Sequence, residues 1–299
     1  MLTSDFALAM INMMRRAAQF LLVVGTLLLF ARDSFAKLDV PDPFLVRSKP
    51  VVHIPFKLPP HAQKITEELY KLPQALDRES RLNVEAYAII HKKDRPKKSE
   101  ARNNNVRRRQ TRCYGFFANG AKWKMVEPWI INASGSGLLE SFVLSNLASD
   151  ISKWEDATDG TVGNGGLDVL GNGSATDTQL IADTSSPDNL NEVYFGAVDD
   201  PDIIAVTILW GYFGGLVSQR RLVEWDQIYS SAYLWSATGE ANKMDFENIV
   251  SHELGHSVGL IDLYNSSCTD ETMYGYATEG ETKKRDLNSG DITGMNKLY

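Results

Sequence analysis

The sequence predicts an α+β domain in the C-terminal part of a 299-residue chain. Strand-like alternation comes first along that part, helical periodicity gathers late, and a His-Glu-x-x-His pentapeptide sits in one of the late helices. The composition, 43% hydrophobic and 23% charged, supplies a core of ordinary globular size.

The first 36 residues read as a leader. Arg15 and Arg16 precede an apolar run, Ala17 to Phe30, and Ser34-Phe35-Ala36 offers small residues for cleavage after Ala36. A membrane anchor is the alternative, but the run falls short of the ~20 residues that span a bilayer. The expectation is a secreted protein with no stable membrane insertion.

Residues 37–112 read as a removable pro-region ending in a basic linker. Eight of the eleven prolines lie between Pro41 and Pro96, which favours extended segments. His61 to Leu72 carries helical spacing at Ile65, Leu69 and Leu72, whereas Leu82 to Ile90 alternates like a strand. His91 to Arg112 holds ten Lys or Arg against Asp94 and Glu100. No aromatics interleave with these charges, so nucleic acid is not an expected partner. Arg107-Arg108-Arg109 and Arg112 instead offer an activating protease a solvated target.

From Cys113 the texture changes. Lys122 to Ile131 predicts a first strand, and Gly137 to Trp154 a helix packed on a sheet. Asp159 to Asp177, rich in Gly, Asn and Asp, predicts a loop. Asn191–Phe195, Ile203–Trp210 and Leu216–Tyr229 predict strands. Leu222 to Tyr229 serves equally as an edge strand, to which a polypeptide substrate adds as an extended strand, or as a fully paired inner one. Asp245 predicts the cap of a helix running to about Leu260, and a last helix begins near Ser289.

On the Asp245 helix, His252 and His256 share a face, so both can present imidazole to one ion. Glu253 lies about 100° round from His252, within reach of a water on that ion. This is the arrangement of a zinc hydrolase with Glu253 as general base. On a continuing helix Asp262 would rise about 9 Å and turn about 240° from His256. Gly259 permits the helix to stop and the chain to turn back. The other three histidines, His53, His61 and His91, fall in the pro-region, so the third ligand must be a carboxylate, a thiolate or a tyrosine. Asp262 is the leading candidate, with Glu271 and Asp270 in reserve. Two imidazoles and one carboxylate suit zinc and leave a place for water.

The run His252-Glu253-Leu254-Gly255-His256-Ser257-Val258-Gly259-Leu260-Ile261-Asp262 resembles the metzincin signature in its aspartate form, found in snapalysin-like and some matrixin-like secreted peptidases. Thr272-Met273-Tyr274-Gly275 resembles the Met-turn of that family, and Asp286 to Tyr299 its closing helix. The resemblance covers roughly 113–299 and departs from matrixins in placing Asp262 where they have histidine. It implies a metzincin-like catalytic domain: a twisted, mostly parallel sheet with an edge strand over a cleft floored by the active-site helix. It also implies Met273 beneath the metal and a zymogen of a zinc endopeptidase. Tyr274 and Tyr276 are candidates for the oxyanion or the pocket wall. A non-catalytic binding protein that keeps a metal-stabilised fold is the rival class, and Glu253 argues against it, since a structural site needs no base.

Cys113 and Cys268 are the only cysteines, and a disulfide is the default in a secreted chain. A thiolate plug at Cys113 and two free thiols are the alternatives. Asp159–Asp177 and Asp199-Asp200-Pro201-Asp202 offer oxygen ligands for calcium without completing a loop pattern, so solvated loops compete with that reading.

Overall fold

In the computed structural model of the protein, residues 54–77, 81–93 and 112–299 are described. Residues 1–36, read above as a leader, and residues 94–111 of the basic stretch lie outside them. The strands are β1 Gln63–Lys64, β2 Leu69–Lys71, β3 Ala75–Leu76, β4 Asn83–Lys93, β5 Trp129–Asn132, β6 Gly173–Ala175, β7 Asn191–Gly196, β8 Ile203–Tyr212, β9 Arg221–Ser230, β10 Trp235–Ser236, β11 Met244–Asp245 and β12 Tyr276–Ala277. The α-helices are α1 Glu140–Asp156, α2 Phe246–Ser257 and α3 Ser289–Leu298.

One mixed sheet organises the fold, in the order β1-β2-β4-β8-β9-β7-β5-β6, with β3 and β12 also paired to β4. From β9 through β7 and β5 to β6 the strands run parallel, as the resemblance implies. β8 is antiparallel to β9, and β4 is antiparallel to β8. Alternation along the strands divides the sheet's two faces. Val193, Ala205, Leu209, Trp225 and Tyr229 pack towards α1 and α2 with Trp154, Phe246, Ile249 and Val250. The other face buries Val84, Ala86, Ala88 and Ile90 of β4 with Phe56, Leu72, Val206, Ile208 and Trp210.

Several elements differ from their sequence readings. His61–Leu72 is not a helix. Its backbone groups pair as β1 with β2 and β2 with β4, and Ile65, on the expected apolar face, is 53% exposed. Tertiary pairing here overrides local spacing. The first strand after Cys113 begins only at Trp129, immediately after Pro128, which has no N–H to give to a ladder. Leu222–Tyr229 lies in β9, an inner strand between β8 and β7. The strand that would be the edge of the sheet formed by 112–299 is β8, and β4 covers it.

The β4-bearing face also buries acids. Glu192, Glu224 and Asp226 are buried, and Asp183, Asp188 and Glu224 bring ligand-type oxygens within 4.8 Å of one another. Burial, and then the charge of Asp183, pushes the Glu224 carboxyl up to about 9. Burial and Asp188 push Glu192 up to about 7. The folded protein therefore holds protons that the unfolded chain has lost. This contribution to stability is full below the ordinary carboxyl range and disappears as pH rises through the folded values. Urea midpoints are expected to fall from about pH 5 to about pH 9, and Glu224→Gln to make that decline shallower.

Candidate metal centre

The centre is built on α2. Asp245 caps it, its Oδ1 accepting the Asn248 N–H at 3.0 Å. Buried all round, the helix is wedged between the sheet and α1, and Trp154 Nε1–H donates to Ser251 O across the helix pair at 2.8 Å. Helix spacing sets the His252 and His256 rings 4.9 Å apart.

Each imidazole is oriented by its other nitrogen. His252 Nδ1–H donates to Thr272 O at 2.7 Å, and His256 Nδ1–H to Leu260 O at 3.1 Å. Both Nε2 atoms are thereby left as acceptors with no hydrogen-bond partner, although the rings are wholly buried. The helix ends at Ser257, and Gly259, at φ +103°, turns the chain. Leu260 N–H then bonds Gly255 O, and Leu263 pairs with Met273 and Gly275. The turn delivers Asp262, whose Oδ1 lies 3.1 Å from His252 Nε2 and 3.6 Å from His256 Nε2.

His252, His256 and Asp262 thus aim three orphaned donor atoms at one point, all within 4.8 Å of one another. Three such atoms, buried without hydrogen bonds, have the chemistry of a divalent-ion site. Burial, with the charges of His91 and Lys284, brings His252 down to about 3, so its ring is neutral, as a ligand must be. Burial alone would raise the Asp262 carboxyl, but the two histidines more than offset this and hold it ionised, below the usual range.

Glu253 faces the same space from the neighbouring helical position. Its Oε2 accepts the Thr207 hydroxyl of β8 at 2.6 Å, and its Oε1 accepts His91 Nδ1–H of β4 at 3.0 Å. Burial raises its pKa, which moves a carboxylate towards the range of a useful base. Met273 is buried directly under the helix. A Cβ on Gly255 would stand 2.1 Å from Met273 Sδ and 2.9 Å from Trp154 Cζ2, so only glycine permits this close packing beneath the two histidines. The turn carrying Met273 is anchored by Asp291 of α3, whose carboxylate accepts the N–H groups of Thr272 at 2.7 Å and Met273 at 3.2 Å. Through Thr272 the same anchor reaches His252.

Glu271, a reserve ligand from sequence, is committed elsewhere: its Oε2 accepts Gly290 N–H and Asp291 N–H. Tyr274 and Tyr276 follow the Met-turn. Their carbonyls accept the buried Lys284 ammonium at 2.6 and 2.7 Å. Neither lines the cavity of about 670 Å³ beside the centre; Tyr264 does, with His256, Asp262, Tyr87 and Phe213. Cys113 and Cys268 form a disulfide. It ties the start of the C-terminal domain to the loop that follows Asp262.

Neither acidic loop contributes to a cation-type cluster among the described residues. The carboxylates at the end of α1 are spent on backbone. Asp156 accepts N–H groups from Gly163, Gly165 and Gly166, and Glu155 those of Val169 and Leu170.

His91, Thr207, Tyr264 and Asp291 were not singled out from sequence. For Thr207 and Asp291, only knowledge of which strand and which helix lie against α2 would have found them.

A mixed sheet, parallel from β9 to β6, over a His-Glu-x-x-His helix, with Asp262 brought up to the two histidines and a methionine turn beneath them, forms a metzincin-like arrangement. Residues 197–299 match the peptidase family M10, matrixin, and over that stretch the chain is matrixin-like. Matrixins are a zinc family, and the donor set here fits that ion. Among solved structures, metalloproteinase-II from Bacteroides fragilis matches at 12% identity and a TM-score of 0.33. That comparison covers 60% of this chain and 54% of the other, so the chain spans about half of that protein's length. No curated relative matches in sequence.

Proposed function

We propose that the protein is a secreted zinc endopeptidase, made as a zymogen, that hydrolyses polypeptides with Glu253 as the base. The observation that carries this is the juxtaposition of two features. Three buried, unpartnered donor atoms of His252, His256 and Asp262 converge, and beside them stands a carboxylate that a purely structural site would not need.

When bound, zinc supplies a Lewis acid that polarises the scissile carbonyl and acidifies water. Asp262 brings a negative charge to the ligand set, so that acidification is weaker than with three neutral imidazoles. More of the work then falls on Glu253. Its carboxylate takes a proton from the attacking water and returns it to the leaving amine. Thr207 fixes the orientation of the carboxylate through Oε2. Thr272 O and Leu260 O hold the imidazoles in the tautomer that exposes Nε2. For secretion, the support is the leader read from the sequence and the disulfide. No helix among the described residues is long and apolar enough to cross a membrane.

The test is metal analysis of the purified chain, coupled to digestion of a peptide library before and after chelation. One equivalent of zinc and chelator-sensitive cleavage within peptides are expected. Stoichiometric zinc with no cleavage in any processed form would favour the non-catalytic binding protein.

A further inference from the structure

β4 comes from the region read as removable, yet it reaches the catalytic carboxylate, as β8 does. It covers the outer edge of β8 from Glu85, opposite Gly211, to Lys92, opposite Ile203. Its last two residues also pair, in parallel, with β12: Lys92 with Tyr276 and Lys93 with Ala277. The strand is thus threaded between β8 on one side of the cleft and the post-Met-turn segment on the other. Ion pairs from Lys92 to Asp200 and from Lys93 to Glu279, at 3.2 and 2.9 Å, pin its end.

Alternation gives the strand two faces. Val84, Ala86, Ala88 and Ile90 enter the far core. Tyr87 and Ile89 face the cleft and line the cavity beside His256 and Asp262. His91 continues that face. It is 2% exposed, its ring lies 4.1 Å from the His252 ring, and its Nδ1–H is given to Glu253 Oε1. With Thr207 on Oε2, both oxygens of the base are occupied.

We infer that β4 is an internal blocking strand that lies where a polypeptide substrate would lie, antiparallel to β8 and parallel to β12, with His91 capping the general base. This rests on the peptidase reading and specifies its regulation. It also specifies the substrate as an extended chain that must take over the β4 pairing. The only covalent path from β4 to the C-terminal domain runs through residues 94–111, which contain the arginine triplet. A cut there leaves Cys113 and its disulfide on the catalytic side. The cut does not by itself release the strand, because its ladder and its five buried apolar side chains remain. The blocked state therefore outlasts the first cleavage until the N-terminal piece dissociates or is digested.

The test uses the full chain, intact and cut at the linker by trypsin. Three measurements are made: native mass spectrometry of the cut product, hydrogen exchange of the β8 and β12 amides, and cleavage of a reporter peptide. The probe is a synthetic peptide of Asn83–Lys93, NVEAYAIIHKK, beside its His91→Ala counterpart.

Expected are a cut but still associated complex with protected β8 amides, and activity that appears only as the N-terminal piece is lost. Added NVEAYAIIHKK should restore the protection and inhibit. The His91→Ala peptide should bind about tenfold more weakly, the loss of one charge-assisted hydrogen bond. In the intact chain, His91→Ala should keep its zinc content while β8 protection falls and basal cleavage rises. Full activity with β4 still bound and protected would overturn the blocking role and leave the peptidase reading standing. A peptide that binds and protects β8 in a chain that cleaves nothing would do the reverse.

Discussion

Glu253→Gln is expected to bind zinc as the wild type does and to lose hydrolysis by about 10²–10⁴-fold, the usual contribution of a positioned general base. Glutamine has the same shape, and its amide oxygen can still accept from Thr207, so the helix is preserved and only the bond that Oε1 accepts from His91 is lost. It cannot take up the proton of the attacking water. Of the acids nearest the centre, Asp262 lies against the two imidazoles and Glu271 is committed to the start of α3. The variant should be measured as kcat after processing at the linker, with zinc content determined on the same sample. Near-normal turnover with one equivalent of zinc would remove Glu253 from the mechanism.

The second large effect is expected from Asp262→Ala. Removing the carboxylate leaves two imidazole donors and no charge with which to neutralise a dication. Loss of an outer-shell partner costs about 10–100-fold in metal affinity. Loss of a ligand should exceed that, and the purified variant should carry little zinc. Thermal denaturation provides a readout that does not depend on activity. A ligand at 100 times its Kd stabilises a fold by about 2.7 kcal/mol. The wild-type midpoint should therefore rise on adding zinc to the chelated protein, while that of Asp262→Ala should not. An equal shift in both proteins would mean that the ion is held without Asp262.

The two variants separate the parts of the site. One keeps the ion and loses the base; the other loses the ion while Glu253 stays in place. This separation is possible because Glu253 stands on α2 while Asp262 comes from beyond the turn at Gly259. The two histidines and the base come from one rigid element, and the carboxylate is brought to them by a separate turn.

Much of this centre is legible along the chain because it is local. His252, Glu253 and His256 acquire their relation from helix periodicity alone. Gly259 announces the end of the helix, and six residues of chain are too few for Asp262 to go far once that turn is made. The late helices and the main alternating strands are equally short-range, and the structure has them close to where their patterns lie. The failures have the opposite character. The spacing of Ile65, Leu69 and Leu72 is compatible with a helix, but β4 recruits that segment's backbone. Alternation in Leu222–Tyr229 states which residues share a face and says nothing about which strands lie on either side. His91 stands 162 residues from Glu253. Their contact exists only because β4 chooses the free edge of β8, a pairing set by backbone hydrogen bonds and by the fit of Val84, Ala86, Ala88 and Ile90 into a distant core. Residue types and one turn were enough to bring two histidines, a glutamate and Asp262 together at the end of one helix. Whether the cleft above them is open or filled depends on long-range packing, which no short stretch of residues encodes.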